Sequence, residues 1–301
     1  MIDNNIDIKI DEIKAAFLNE RDIKLLAVRL DLIHPVISGN KLFKLYYFID
    51  DAIKLNKNTV VTMGGAYSNH LVATACYTKQ LNLNSIGIIR GEESKNTSAT
   101  LKQCSEFGMK FIFVPRIDYQ IELNEVIIQK INKISTNYIF IPEGGYDSKG
   151  AAGASIIMNN LQALNPSHIC TAIGTATTLA GLIKSASPNQ KVIGVPVIKG
   201  MTDIDERLTY LLGSNHYEPP IIFNHFDFGG YARHTNELIN FMNDFYGNFN
   251  IPLDFVYTGK MFYAIFDKIK NNFFPKGSTI ALLHTGGLQG NQSLPMNTLI
   301  F

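Results

Sequence analysis

Short apolar runs alternate with segments of helical periodicity from residue 40 to the end of the chain. This alternation predicts βαβ units, in which crossover helices join the parallel strands of a sheet. The predicted strands span 25–28, 59–63, 85–89, 110–114, 138–141, 168–173, 191–197, 221–224 and 279–283. The predicted helices span 68–81, 99–107, 123–134, 154–164, 178–185, 204–212, 237–245 and 260–271, after a first helix whose first turn contains Lys41.

The alternation occurs in two successive runs, which predicts an α/β protein of two open parallel-sheet domains with a cleft between them. We place the change of domain near residue 150, where the sequence marks it only weakly. A chain of 301 residues with 46% hydrophobic and 18% charged residues can bury cores of this kind. The net charge of +1 does not indicate a nucleic-acid or membrane surface, and we predict neither partner.

The three cysteines, Cys76, Cys104 and Cys170, each lie in an apolar segment, and none is paired at metal-ligand spacing. We predict buried free thiols and no metal site, with a catalytic thiol as a minor alternative. The N-terminus, residues 1–5, lacks the order of a signal peptide, and no apolar run reaches transmembrane length. These features predict a cytoplasmic protein.

The stretch Ser-Gly-Asn-Lys-Leu-Phe-Lys-Leu follows the first predicted strand and opens the first helix. Ser38 or Asn40 can cap that helix, and Gly39 permits a tight turn into it. The helix dipole and the nearby Lys44 should both lower the pKa of Lys41, as an amine nucleophile requires. The alternative is a pair of solvated lysines on an amphipathic helix.

Paired glycines follow three predicted strands, at 64–65, 144–145 and 286–287, and a fourth pair occurs at 229–230. Ligands of parallel sheets bind at the carboxyl ends of strands, and glycine allows the backbone to approach them closely. Each pair alone could be an ordinary turn. Their repeated position at strand ends favours a binding site.

Two strand-to-helix junctions carry polar side chains. At the first junction, Ser68 and Asn69 can cap a helix or point into a cleft, and His70 can face solvent, core or ligand. The second junction, residues 174–181, places small residues and hydroxyls at a helix N-terminus, where amide groups favour an anion. It matches neither dinucleotide nor nucleoside-triphosphate motifs, so a single phosphate is the favoured ligand; a plain capped helix is the alternative.

A third junction, around residues 254–260, contains polar groups that could serve a site or start a helix. Tyr257 and Thr258 are such groups, whereas Lys260 is interpreted as a solvated helix residue. Tyr231 follows a glycine pair on a predicted loop, where an exposed phenol favours ligand contact. The alternative is an ordinary tyrosine whose ring is packed and whose hydroxyl contacts water.

A reactive lysine, a phosphate loop and a glycine-lined cleft are what pyridoxal phosphate needs. The sequence resembles the pyridoxal-phosphate enzymes that include 1-aminocyclopropane-1-carboxylate deaminase and D-cysteine desulfhydrase. The resemblance runs from about residue 26 to residue 287. It rests on Ser-Gly-Asn-Lys-x-x-Lys-Leu at 38–45, Gly-Gly-Ala-Tyr-Ser-Asn-His at 64–70, Pro-Glu-Gly-Gly at 142–145, the 174–181 loop, Val-Tyr-Thr-Gly-Lys at 256–260 and His-Thr-Gly-Gly at 284–287.

The resemblance implies the tryptophan-synthase-β-like fold, fold type II of these enzymes. A small domain, residues 45–150, would be inserted into a large cofactor-binding domain of residues 1–44 and 151–301. The resemblance also implies a homodimer.

The resemblance also assigns the cofactor contacts. Lys41 would be the Schiff-base lysine, Lys44 a phosphate partner, and Asn69 the contact of the ring hydroxyl. Thr258 falls where the ring nitrogen is met. The phosphate would be held by Thr175, Ala176, Thr177 and Thr178.

Three further residues match the substrate side of the family site. Ser68 corresponds to the serine proposed as nucleophile or proton relay. Tyr231 and Tyr257 correspond to two tyrosines near the substrate. The substrate would be a small amino acid.

The chain departs from the family pattern at three positions. Ala176 stands where glycine is usual, which leaves the phosphate loop less free to bend. Leu30 replaces an acidic residue in an Arg-Asp-Asp-Leu segment. Thr258 matches the desulfhydrases, whereas the aminocyclopropane deaminases have glutamate there.

The resemblance therefore predicts a pyridoxal-phosphate-dependent lyase or deaminase that releases ammonia and a 2-oxo acid. A neutral hydroxyl at Thr258 should leave the cofactor a weaker electron sink than a carboxylate would. Expulsion of a thiol demands less carbanion stabilisation than opening of a cyclopropane ring, so Thr258 favours D-cysteine desulfhydrase-like elimination. The alternatives are an aminocyclopropane-carboxylate deaminase and a non-catalytic cofactor-binding protein.

Overall fold

The computed structural model describes residues 6–120, 123–214 and 216–301. Residues 1–5, whose composition suggested the absence of a signal peptide, lie outside that part of the chain. The strands within it are β1 (Ile10–Ile13), β2 (Lys24–Val28), β3 (Thr59–Gly65), β4 (Asn84–Arg90), β5 (Lys110–Val114), β6 (Tyr138–Ile141), β7 (His168–Ile173), β8 (Lys191–Pro196), β9 (Ile221–Ile222) and β10 (Thr279–Leu283).

Helices follow most of these strands. The α-helices are α1 (Ala16–Asn19), α2 (Lys41–Lys54), α3 (Asn69–Gln80), α4 (Ala99–Glu106), α5 (Glu125–Asn132), α6 (Ser148–Ser155), α7 (Thr177–Ser185), α8 (Ile204–Leu212), α9 (Asn236–Phe249) and α10 (Thr258–Lys270). 3₁₀ segments occur at Leu30–Leu32, Glu143–Gly145, Ile156–Leu164 and Leu288–Ser293.

The larger sheet has the strand order β1-β2-β10-β7-β8-β9. Its pairs are parallel except for β1 with β2, which are antiparallel. Every residue of β7 is buried, which explains why this strand is a continuous apolar run rather than an alternating one. The last strand of the chain, β10, lies between β2 and β7, so the N-terminal segment is built into the same sheet as the second half.

The smaller sheet has the order β5-β4-β3-β6, and all its pairs are parallel. Because the strands are parallel, their carboxyl ends meet at one edge, as do those of all strands of the larger sheet except β1. The prediction of two parallel-sheet domains is therefore confirmed. The predicted strands agree closely with the observed ones, but β1 was missed because it is a short edge strand of mixed polarity.

Helix α2 connects the two cores. Phe43 packs in the core beneath the larger sheet, whereas Leu45, Phe48 and Ile49 pack with Val60 of the smaller sheet. This change of partner along one helix supports our proposal that the small domain begins near residue 45. Its end near residue 150 stays a prediction.

Other predictions about the chain can be compared directly. Cys76, Cys104 and Cys170 are free and buried, as expected. The helix predicted at 154–164 is instead α6 followed by a 3₁₀ segment. None of the described helices combines the length and apolar character that a bilayer crossing requires.

Candidate active site

Lys41 is the first residue of α2 and lies directly after a tight turn at Gly39. Gly39 has a φ of +72°, and a Cβ there would lie 1.8 Å from the Thr285 carbonyl oxygen. Only glycine therefore allows the turn to pack against the segment that follows β10. Asn40 occupies the cap position but makes no side-chain cap. This geometry confirms the predicted turn and helix start, and it shows that the capping prediction was wrong.

The Lys41 ammonium is held by one neutral oxygen: its Nζ donates to Asn40 Oδ1 at 2.6 Å. Burial lowers the pKa of Lys41 to about 8, and the carboxylate of Asp254 partly opposes that shift. The expected direction is therefore observed. Its main cause is removal from water rather than the helix dipole or Lys44, on which the sequence argument relied.

Lys44 is buried, and its Nζ donates to the Gly144 carbonyl at 3.0 Å. Burial lowers the pKa of Lys44 well below its usual value, and the neighbouring charge of Lys41 lowers it further. Among the described residues, neither lysine has a carboxylate within ion-pair distance. Two adjacent lysine amines, one buried and one half-buried, without a carboxylate partner make this region favourable for an anion.

The N-terminus of α7 lies beside these lysines. Asn40 Nδ2 donates to Thr178 Oγ1 at 2.7 Å, which connects the Lys41 turn to this helix. Thr175 and Thr177 share a hydrogen bond of 2.8 Å between their hydroxyls. The first amide groups of α7 have no carbonyl acceptor within the helix, so they can donate to a ligand.

Ala176 immediately precedes α7 and has a left-handed backbone, with φ of +65° and ψ of −3°. A Cβ disfavours this conformation, which glycine adopts without strain. The expected restriction at this position is therefore visible as backbone strain. The loop nevertheless adopts the conformation that glycine would favour.

The N-terminus of α3 faces the same region from the smaller sheet. Ser68 occupies the cap position, but its side chain makes no capping hydrogen bond, and neither does Asn69. Asn69 Oδ1 is buried and has no hydrogen-bond partner among the described residues. The capping interpretation of these two side chains is wrong, and both are available to a ligand.

His70 is buried rather than exposed, and both ring nitrogens lack a partner in hydrogen-bond geometry among the described residues. Burial lowers the pKa of His70 to about 3, and the charges of Lys41 and Lys44 lower it further; the Pro142 carbonyl opposes this weakly. The ring is therefore neutral at physiological pH.

A loop that enters α10 brings a buried carboxylate to the site. Asp254 accepts hydrogen bonds from the backbone N–H groups of Val256, Tyr257 and Thr258, at 3.0, 2.8 and 2.8 Å. Its Oδ1 also accepts from the Thr258 hydroxyl at 2.6 Å. The Thr258 hydroxyl hydrogen is thus already engaged, and the oxygen can offer only a lone pair to another group.

The elements from the two halves of the chain meet at Gly287. A Cβ on Gly287 would lie 3.0 Å from Asn69 Nδ2 and 3.2 Å from the Asp254 carboxyl carbon. Asn69 belongs to the smaller sheet's side of the site, and Asp254 belongs to the larger sheet's side. The glycine therefore permits the close approach that joins them.

Tyr257 and Tyr231 form a pair beside the loop that precedes α7. The Tyr257 hydroxyl donates to the Tyr231 hydroxyl at 3.2 Å, and a Cβ on Gly174 would lie 3.1 Å from the Tyr257 ring. Burial raises the pKa of both phenols, that of Tyr257 well above its ordinary value. Tyr231 is 48% exposed, so the pair reaches from the interior to solvent.

Lys260 departs most clearly from the sequence interpretation. It was predicted to be a solvated helix residue, but it is fully buried, with 0% exposure. Periodicity failed here because the residue lies in the first turn of α10, where a loop folds over the helix. Burial lowers the pKa of Lys260 to about 8, against the opposing charges of Asp227 and Asp254.

Sequence reasoning also missed several polar residues. Asn40 was considered only as a cap, and Asp254 only as the start of a loop. Arg90 ends β4 and lies over the Tyr119 ring at 5.4 Å, while the Tyr119 hydroxyl donates to Glu143 at 3.0 Å. The position of Arg90 and Glu143 at strand ends of the smaller sheet was the available signal.

The Leu30 departure has a structural explanation. Leu30 is completely buried in the core of the larger sheet. Its neighbours carry the charge: Arg29 forms two hydrogen bonds to Asp31, at 2.9 and 2.7 Å, and one to Asp11 at 2.8 Å. Asp31 also lies 3.2 Å from His284. The ion pair is complete without a second acid at position 30.

The donor set fits pyridoxal phosphate. The unpartnered Asn69 oxygen supplies an acceptor. Lys41 and Lys44 supply a nucleophilic amine and, with the open N-terminus of α7, an anion site. These are the groups that an aldehyde cofactor with a phenolic hydroxyl and a phosphate requires.

Comparison with known proteins leads to the same cofactor. The family model described as pyridoxal-phosphate dependent enzyme matches residues 13–286. A Pyrococcus abyssi protein, whose name provisionally assigns it as a 1-aminocyclopropane-1-carboxylate deaminase, is 28% identical over 90% of this chain and 86% of its own length. A mitochondrial Arabidopsis thaliana protein named bifunctional D-cysteine desulfhydrase/1-aminocyclopropane-1-carboxylate deaminase is 27% identical over 84% of this chain and 70% of its own length.

The fold is also similar to that of a protein of this kind. A crystal structure described as an ACC deaminase homologue superimposes with a TM-score of 0.77 and 24% identity, over 95% of this chain and 90% of that one. The resemblance inferred from the sequence motifs is therefore confirmed at the level of family and fold type. The chain belongs to the pyridoxal-phosphate-dependent enzymes.

Proposed function

We propose that this enzyme is a lyase that converts D-cysteine and water to pyruvate, ammonia and hydrogen sulfide. The observation that carries the proposal is the pair of lysines, half-buried Lys41 and buried Lys44, which lack a carboxylate partner among the described residues and lie beside the open N-terminus of α7. A phosphate there would supply the missing negative charge, and the nearby amine would bond to the aldehyde of the cofactor.

The residues that would hold the cofactor follow from their positions. Lys44 and the loop formed by Thr175, Ala176, Thr177 and Thr178 would bind the phosphate. Asn69 would accept a hydrogen bond from the ring hydroxyl, and the Thr258 oxygen would meet the ring nitrogen. When bound, pyridoxal phosphate withdraws electrons from a bond at the substrate α-carbon.

The chain's own groups would then move protons and position the substrate. With its amine free, Lys41 would take or return a proton, because burial places its pKa at about 8. Ser68 has an uncommitted hydroxyl at the N-terminus of α3 and can relay a proton. Tyr257 and Tyr231 offer phenols on the side of the site opposite Ser68, where a departing thiolate would need a proton.

The choice of substrate rests on Thr258. A neutral oxygen stabilises the protonated, electron-withdrawing form of the ring less than a directly contacting carboxylate would. Expulsion of a thiol demands less carbanion stabilisation than opening of a cyclopropane ring, because the leaving group itself accepts electrons. This argument favours D-cysteine; its handedness rests on the family resemblance.

One observation favours a second candidate, 1-aminocyclopropane-1-carboxylate deaminase. Asp254 lies one hydrogen bond behind Thr258 and places a carboxylate 2.6 Å from its hydroxyl. Through that bond the carboxylate can make Thr258 a stronger acceptor, which would favour a protonated ring. The names of the relatives also include this activity.

A direct comparison of substrates tests the proposal. The purified enzyme is assayed with D-cysteine, L-cysteine and 1-aminocyclopropane-1-carboxylate, with Lys41→Ala as the control. We expect sulfide and pyruvate from D-cysteine and little 2-oxobutyrate from the cyclopropane. Faster formation of 2-oxobutyrate would refute the Thr258 argument. Turnover of none of the three would favour another small amino acid or a non-catalytic binding protein.

A further inference from the structure

We infer that Lys260 is a positioning residue that holds the loop of residues 227–231, and with it Tyr231, in place beside Tyr257. Its Nζ donates to the backbone carbonyls of Asp227 and Gly230, each at 2.7 Å. The residue is completely buried, and among the described residues no carboxylate lies within ion-pair distance of its ammonium. A buried charge used to bind two carbonyls of one loop indicates a dedicated contact.

The loop has little regular structure of its own. It lies between β9 and α9, and Phe228, Gly229, Gly230 and Ala232 all have positive φ angles. Its internal backbone bonds are two turns: Gly230 N–H donates to Asp227 O at 3.0 Å, and Arg233 N–H to Gly230 O at 3.1 Å. The carbonyls that close these turns are the same two that Lys260 binds.

The lysine thereby links both tyrosines to one helix. Tyr257 immediately precedes α10, and Lys260 is in the first turn of that helix. Tyr231 follows directly after Gly230, whose carbonyl Lys260 holds. Without this link, the Tyr231 hydroxyl would depend on a single 3.2 Å bond to Tyr257 for its position.

Substitution by methionine isolates this role. Lys260→Met keeps an apolar stem of similar length and removes the donors. Asp227 O and Gly230 O each keep one backbone donor, and replacing a buried charge with an apolar side chain is often neutral for stability. We therefore expect the fold to persist while the loop opens more often. Lys260→Arg, which keeps donors and charge, should behave closer to the wild-type protein.

The first test uses hydrogen exchange and is independent of any substrate. In Lys260→Met holoenzyme, the amides of Gly230 and Arg233 should exchange about tenfold faster. Amides in the middle of α10 should be unchanged, and Lys270→Met, at an exposed position of the same helix, should leave the loop unaffected. Unchanged loop exchange would overturn the inference. A methionine variant that does not fold would also overturn it, because Lys260 would then support the whole domain.

The second test is a double-mutant cycle with turnover as the readout, and it rests on the proposed function. Lys260→Met should lower kcat about tenfold with cofactor retained. In a Tyr231→Phe background, the same substitution should have almost no further effect. Independent, multiplicative losses would show that Lys260 does not act through Tyr231. If no assayed amino acid is turned over, the proposed function fails while the exchange result still decides the inference.

Discussion

Ala176→Gly should be far less destabilising than a glycine substitution inside the helix that follows it, α7. Ala176 has a φ of +65° at the start of α7, whereas Ala180 lies within the helix. Both methyl groups are buried in the same core, with 2% and 0% exposure. Ala180→Gly is therefore a matched control.

The magnitude follows from three contributions. Each substitution removes a buried methyl group, at about 0.8 kcal/mol. Each also adds the conformational freedom of glycine to the unfolded chain, at about 0.5–1 kcal/mol. Only Ala176→Gly relieves a left-handed Cβ contact, which is worth about 1–2 kcal/mol. We expect Ala180→Gly to lose about 1.5 kcal/mol and Ala176→Gly to remain close to wild type.

Urea unfolding of the cofactor-free protein measures this difference. Tyrosine fluorescence is suitable because the chain has 13 tyrosines and no tryptophan, and far-UV circular dichroism provides the second probe. Coincident transitions are needed before a free energy is calculated. Equal destabilisation by Ala176→Gly and Ala180→Gly would refute the assignment of strain to Ala176.

Three further experiments address the cofactor and catalysis. Borohydride reduction should fix the cofactor covalently on Lys41. Because the pKa of Lys41 is about 8, the rate at which the cofactor becomes attached to Lys41 should rise with pH through that value, as the neutral amine forms. A falling rate, or an adduct on another residue, would contradict the assignment of Lys41. Ser68→Ala should lower turnover on the order of 10²–10⁴-fold with cofactor still bound, whereas joint loss of cofactor and fold would indicate a structural role. Thr177→Val should weaken cofactor binding more than the control Cys76→Ser, and equal affinities would move the phosphate site elsewhere.

Much of the fold could be predicted because the strands of both sheets are local apolar runs. β7 and β10 are buried along nearly their whole length, so their sequence alone is distinctive. The edge strand β1 was missed because an edge position leaves one side polar. The start of α2 was predicted correctly because Gly39 and Lys41 have local signals.

The site was harder to predict where side chains depend on distant partners. Asp254 is an ordinary loop acid in the sequence, and only the packed structure shows that its carboxylate accepts the backbone of the α10 entry. Lys260 has helical spacing typical of an exposed residue, but its environment is determined by a loop about 30 residues away. Such contacts depend on tertiary structure, so periodicity and local propensity carry no signal for them.

The position of β10 also affects the order in which the protein can form during synthesis. The strand that leads to Lys41 has only β1 as a neighbour until residues 279–283 emerge from the ribosome, because β10 separates β2 from β7. The four strands of the smaller sheet are all encoded between residues 59 and 141 and can pair much earlier. Vectorial synthesis therefore finishes one sheet while the surroundings of the reactive lysine are still open. The Gly39 turn can pack against Thr285 only after residue 285 has been made.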